Sequence, residues 1–191
     1  MLFTVSGVSA VGKTSLFEMA LAQIPHASLL RSYTTREPRE NDLTGEYAYL
    51  SDQEWRDRKL RSEFSWEVPV RGKMYGTRRD DVRAALRSEH PVLAAIVPER
   101  VSAIHTLADS FGLARNVRSI YILSPDRRIL ISRLTHRRGL SAEEARKEVE
   151  RFAGWDQSAL HERRFPYAFI TDRDSLSDKF TDLRTLILRP N

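Results

Sequence analysis

At 191 residues, with 41% hydrophobic and 30% charged side chains, the chain has length for one domain with a sizeable core and the balance of a globular protein. It has no cysteine, which excludes disulfides and thiolate chemistry, and no basic-flanked or long apolar segment, so neither a signal peptide nor a membrane span is expected and the compartment read is the cytoplasm. The net charge of +5 comes from arginines scattered through the chain, and phosphate handling accounts for it without nucleic acid as a partner.

Leu2–Val5 is an apolar, β-rich run, and Leu16–Ala22 has apolar residues at helical spacing. Between them stands Gly7-Val8-Ser9-Ala10-Val11-Gly12-Lys13-Thr14-Ser15, the pattern G-x-x-x-x-G-K-[ST] in its strand–loop–helix context. Gly7 and Gly12 let the backbone curl so that N–H groups point inward, and the helix N-terminus adds partial positive charge. Such a loop binds a nucleoside triphosphate, with Lys13 reaching the β- and γ-phosphates and the Thr14 hydroxyl on Mg²⁺.

Pro25 breaks the first helix, and Ala27–Leu30 predicts a short second strand. Arg31 to Arg39 is dense in hydroxyls and arginines, has no apolar period and reads as a loop suited to an oxyanion. Short strands are predicted over Tyr47–Leu50 and Ser65–Val70. A helix is predicted over Asp52–Leu60, with Ser51 or Asp52 as its cap. Arg79–Ser88 and Val101–Phe111 predict helices; Pro91–Val97 and Ser119–Leu123 predict buried strands. A helix from Asp126 leads into Arg133-Leu134-Thr135-His136-Arg137-Arg138-Gly139, and Ser141-Ala142-Glu143-Glu144 is a capping box opening the next helix, which carries Arg151. Tyr167–Thr171 predicts the last strand and Leu176–Leu188 the closing helix.

Ser32-Tyr33-Thr34-Thr35-Arg36-Glu37-Pro38-Arg39, then Gly45-Glu46-Tyr47 and Tyr75-Gly76-Thr77, resemble the monophosphate-binding region of guanylate kinases, with the P-loop at the expected distance upstream. The resemblance implies an α/β P-loop three-layer sandwich with a central parallel sheet. It divides the chain into a core (1–31, 84–125, 159–191), an acceptor-binding subdomain (32–83) and a helical lid (126–158). It also implies ATP and Mg²⁺, with Gly7, Ser9, Ala10, Val11, Gly12, Lys13, Thr14, Ser15 and Thr171 around the donor. Arg36, Arg39, Tyr47 and Tyr75 would hold the acceptor's phosphate; Ser32, Glu67 and Thr77 would contact guanine. Lys13, Arg36, Arg133, Arg138 (or its neighbour Arg137) and Arg151 would stabilise the transferring phosphoryl. The implied partner is a small phosphate monoester such as GMP or dGMP. Other acceptors, a ribose bisphosphate among them, and a non-catalytic phosphopeptide-binding module are the alternatives.

Two departures stand out. The family carries a guanine-reading glutamate and then a tryptophan where this chain has Trp66-Glu67 in reversed order. Regular pleating would turn Glu67 away from the acceptor, and a bulge that returns it is the expectation taken here. The family's acidic residues near Ala94 and Ile96 are absent, leaving Glu99 as the nearest carboxylate.

Overall fold

The computed structural model describes residues 1–40, 42–162, 167–170 and 175–189, with the side chains of Arg137 and Arg138 left out. Its strands are β1 (Leu2–Ser6), β2 (Ser28–Leu29), β3 (Ser32–Thr34), β4 (Tyr47–Tyr49), β5 (Phe64–Val70), β6 (Lys73–Arg78), β7 (Val92–Ala95), β8 (Val117–Ile122) and β9 (Tyr167–Ile170). Its helices are α1 (Lys13–Gln23), α2 (Asp52–Leu60), α3 (Arg79–Arg87), α4 (Pro98–Ser110), α5 (Arg127–Arg138), α6 (Ala142–Arg151), α7 (Trp155–His161) and α8 (Leu176–Leu188).

Continuous apolar runs with no polar face make strands that must be covered on both sides. β1 is buried at every position and lies at the centre of a parallel sheet ordered β2-β7-β1-β8-β9. Alternation divides its neighbours between two cores. Leu2, Ala94 and Tyr121 share one with Leu86 of α3 and Ile104 of α4. Phe3, Leu93 and Ile120 share the other with Phe17 of α1 and Leu183 of α8. The architecture is therefore the expected three-layer sandwich. Each fully buried side chain of this kind contributes about 1.5–3 kcal/mol. Among the described residues no helix is long and apolar enough to cross a membrane.

A second sheet, ordered β4-β3-β6-β5, stands on the segment between β2 and α3. Its β3 and β6 differ from the sequence reading. β3 lacks any alternation because its residues are hydroxylic and its neighbours hold it: the Ser32 N–H donates to the Glu46 carbonyl at 2.8 Å, and Leu50 N–H to that of Thr34 at 2.9 Å. β5 and β6 form a hairpin turned by Arg71 and Gly72, both left-handed at φ 53° and 72°. Positive φ at both central residues matches the right-handed twist of the strands.

The helix ends follow local chemistry. Ser51, not Asp52, caps α2, and Glu54 completes a capping box; Ser141 and Glu144 do the same for α6, as the spacing predicts. The short helix α7 was not anticipated. Its Asp156 accepts from the Tyr121 hydroxyl at 2.8 Å and the Ser124 N–H at 3.1 Å, which ties it to the end of β8.

Candidate active site

At the carboxyl end of β1 the chain turns through Gly7, where φ is +145° and a Cβ would lie 2.7 Å from the Ile122 carbonyl oxygen. Only glycine fits there. Gly12, at φ +108°, is the N-cap of α1, so the N–H groups of that helix's first turn face the loop. Lys13 folds over the loop, its Nζ donating to the carbonyls of Gly7 at 2.6 Å and Val8 at 2.9 Å. Ser9, Ala10, Gly12, Lys13 and Thr14 line a narrow cavity of about 180 Å³, which Glu46, Tyr47 and Arg133 help to close. Val11 and Ser15 are buried instead, Val11 in the core beneath the loop.

Behind this loop lies a residue that sequence reasoning missed. Lys179 of α8 is only 3% exposed, and its Nζ donates to the Val11 carbonyl at 3.4 Å. The same nitrogen is 3.7 Å from where a Cβ on Gly12 would stand. A lysine in a helical apolar pattern gives no sign of this; only docking α8 against α1 brings its charge to the phosphate loop.

A wider cleft of about 580 Å³ shares Ser9, Lys13 and Thr14 with that cavity and extends past Ser32, Arg36, Arg39, Tyr47 and Tyr75. Arg36 is buried and makes two hydrogen bonds to Asp42, at 2.7 and 2.6 Å, with its guanidinium 4.5 Å from the Tyr47 ring centre. Burial alone would work against its charge. The hydrogen bonds and field of Asp42 outweigh that and raise its pKa. For Asp42 burial works upward, but the hydrogen bonds of Arg36, Tyr49 and the Arg39 N–H bring its pKa below the usual carboxylate value. Asp42 was not singled out from the sequence, because a loop aspartate six residues from an arginine has no fixed spacing to mark it. Burial raises the pKa of Glu46, whose carboxylate accepts from Tyr47 and from the Leu43 N–H. Burial, with Glu46 beside it, also raises that of Tyr47.

The strand that faces this cleft carries a correction. A bulge does exist in β5, but it lies at Ser65, before Trp66 rather than after it. Phe64 pairs with Arg78 and Trp66 with Thr77, so two residues are passed on β5 for one on β6. From Trp66 onward the pleat is regular. Phe64 and Glu67 consequently face α2, where Phe64 stacks on Trp55 at 4.3 Å between ring centres and Glu67 forms an ion pair with Lys59. Gly76, opposite Glu67, lies under the same helix: a Cβ there would come within 3.0 Å of Trp55. Trp66, 7% exposed, lines the cleft with Val68 and Tyr75. The bulge thus holds Glu67 outside the cleft. Thr77 is fully buried and absent from the cleft wall, so of Ser32, Glu67 and Thr77 only Ser32 lines it.

The arginines of the helical segment are placed differently from one another. Arg133 sits at the mouth of the phosphate loop, 3.5 Å from the Ala10 carbonyl. Arg151 turns to Glu148 at 3.6 Å and does not line the cleft. The side chain of Arg138, and Thr171 altogether, lie outside the described residues. Glu148, buried on α6, also pairs with Arg71 of the β5–β6 turn, and both line the cleft. The end of β7 and the residues after it bring Ala95, Ile96 and Val97 to the cleft and no carboxylate; Glu99 stands exposed in the first turn of α4. Among the described residues no cluster of three or more acidic, histidine or cysteine side chains could hold a metal.

Comparison with known proteins agrees with this geometry. The family model described as guanylate kinase matches residues 2–189. A guanylate kinase of Dechloromonas aromatica is 32% identical over 187 residues, covering 97% of this chain and 87% of that protein. One from Nitrosomonas europaea is 30% identical over 171 residues, covering 88% and 80%. The crystal structure of guanylate kinase from Anaplasma phagocytophilum matches the fold with a TM-score of 0.60 at 18% identity, over 99% of this chain and 87% of that one. A match of this length, over a phosphate loop and a cleft built as described, means that the chain belongs to the guanylate kinase family.

Proposed function

We propose that the protein transfers the γ-phosphoryl group of ATP to the phosphate of a nucleoside monophosphate, with GMP or dGMP as the first acceptors to test. One observation carries this reading: Lys13 and Thr14 share a single continuous cleft with Arg36, Arg39, Tyr47 and Tyr75. Donor and acceptor phosphates placed at its two ends would meet between them. The relatives named guanylate kinase support the same pair of substrates.

In this reading the loop N–H groups and Lys13 hold the donor, while Arg36 and Arg39 with the two tyrosines hold the acceptor. Asp42 keeps the Arg36 fork in place. Arg133, Arg138 and Arg151 approach as the segment 126–158 closes over the core, which excludes water from the phosphoryl group. The acceptor-binding segment 32–83 moves against the same core. Catalysis is positioning and charge neutralisation; a monophosphate is already ionised near neutral pH and needs no general base. Mg²⁺ fits as an ion held by the Thr14 hydroxyl, the donor's phosphates and water, a mode that needs no protein cage. When bound it would neutralise phosphate charge. The compartment proposed is the cytoplasm, where the donor is available.

Lys13→Ala tests the reading. Its ammonium donates to the Gly7 and Val8 carbonyls, and the variant should lose ADP release with every acceptor while its unfolding curve stays cooperative. Unchanged ADP release would sink the enzyme reading.

A further inference from the structure

We propose that Trp66 is the specificity-determining residue of the acceptor cleft, and that the cleft takes purine nucleoside monophosphates with weak discrimination between guanine and adenine. This rests on the phosphoryl-transfer reading above and concerns how the acceptor's base is recognised.

Guanine presents two donors on one edge, N1–H and the 2-amino group, and a site that selects it must offer an acceptor there. Adenine presents an acceptor at N1 and a donor at its 6-amino group. β5 gives the cleft Trp66, Val68 and Val70, none of which can accept a hydrogen bond through its side chain. The one polar atom of Trp66, Nε1, is a donor, which can meet guanine O6 or adenine N1 but not the N1–H and 2-amino group that set guanine apart. It is buried and has no hydrogen-bond partner among the described residues. Glu67, the nearest carboxylate in sequence, faces α2 and pairs with Lys59 there. Thr77, paired with Trp66 across the strands, is 0% exposed beneath it, and its hydroxyl also has no partner among the described residues.

The carboxylates that do line the cleft are otherwise engaged or exposed. Asp42 holds Arg36, Glu46 accepts from Tyr47, Glu148 pairs with Arg71 and Arg151, and Glu37 is exposed beside Arg36. On its β5 side the cleft offers a base an apolar wall with an aromatic edge, Trp66, Val68 and Val70. An aromatic surface holds purines by area and stacking, which differ little between guanine and adenine. A site built to hydrogen-bond one set of donors, by contrast, rejects the analogue lacking them by roughly ten-thousandfold or more.

The test is calorimetric titration of the wild-type protein, Glu67→Gln and Trp66→Glu with GMP and with AMP, alongside ADP release with ATP and each acceptor. We expect wild-type affinities for the two within about tenfold, unchanged in Glu67→Gln. Trp66→Glu should shift the ratio toward GMP; should that variant fail to fold, the wild-type and Glu67→Gln ratios decide alone. GMP binding more than a hundredfold tighter than AMP would overturn the proposal. So would a preference for GMP that disappears in Glu67→Gln, or the failure of both nucleotides to bind. Comparable binding of the two without ADP release would leave the weak purine discrimination standing while removing the phosphoryl-transfer reading.

Discussion

Arg71, at the turn of the β5–β6 hairpin, forms an ion pair with Glu148 on α6, joining the second sheet to the helical segment where both residues line the cleft. Its two ends are unequal: Arg71 is 38% exposed at its side chain, whereas Glu148 is 6% exposed and keeps a second partner in Arg151. Removing Arg71 therefore leaves no naked buried charge. Arg71→Ala should cost on the order of 1–3 kcal/mol of stability, as for a buried charged group that loses one of its partners, and lower kcat/KM for the acceptor several-fold. Thermal unfolding and steady-state kinetics, run at two salt concentrations, check this. Kinetics equal to wild type would show that the pair contributes nothing to acceptor turnover.

Arg39 and Arg36 stand on the same wall but in different states. Arg36 is buried with Asp42, while Arg39 is exposed and only its backbone N–H is engaged with that carboxylate. The Arg39 guanidinium is thus the one that a phosphate gains without breaking an ion pair given above. Arg39→Ala should weaken acceptor binding roughly ten- to a hundredfold, as expected for a lost charge-assisted contact, and leave ATP affinity close to wild type. Calorimetry with each ligand separates the two; an equal fall for ATP would mean that the donor and acceptor ends are misassigned.

Gly7→Ala should be destabilising wherever it is measured. The added Cβ meets the Ile122 carbonyl oxygen at 2.7 Å, and φ of +145° is a region that L side chains avoid. The backbone term alone is roughly 1–3 kcal/mol, and relief would have to come from moving either the phosphate loop or β8. Chemical denaturation should show the loss, and ATP binding should fall with it. A variant as stable as wild type would contradict the close approach of loop and strand.

His105 of α4 sets a limit on acid stability. Its Nε2 meets the Ser119 hydroxyl at 2.8 Å, and Ser119 in turn accepts from the buried Thr4 hydroxyl at 2.9 Å. Burial lowers the His105 pKa below its ordinary 6.5, with Asp109 opposing. A neutral histidine in the folded state and a protonatable one in the unfolded state mean that the unfolded chain binds more protons as pH falls below 6.5. Stability is therefore retained above that pH and lost below it. His105→Gln should flatten this acid limb in unfolding curves recorded between pH 7 and pH 5, and an unaltered slope would assign the acid loss to other groups.

The sequence by itself determined the elements whose signals are local. Continuous apolar runs marked β1, β7 and β8 as strands covered on both faces. Ser141 and Glu144, three residues apart, fixed the start of α6, and two glycines around a Lys-Thr pair fixed the phosphate loop, because each depends on backbone geometry within a few residues. The hydroxyls and arginines of 32–39 could be assigned to an anion from their chemistry, but not to strand β3, whose hydrogen bonds come from residues that are neighbours only after folding. What only the tertiary structure decided is which way side chains face. Trp66 and Glu67 are adjacent, so one faces the cleft and the other α2. The choice was made by the bulge at Ser65, with Phe64 stacked on Trp55 and Lys59 waiting for Glu67. Lys179 behind the phosphate loop and Glu148 against Arg71 arise in the same way. A strand's period is written along the chain, but its phase relative to a cleft is set by packing against elements far away in sequence, and one inserted residue reverses it.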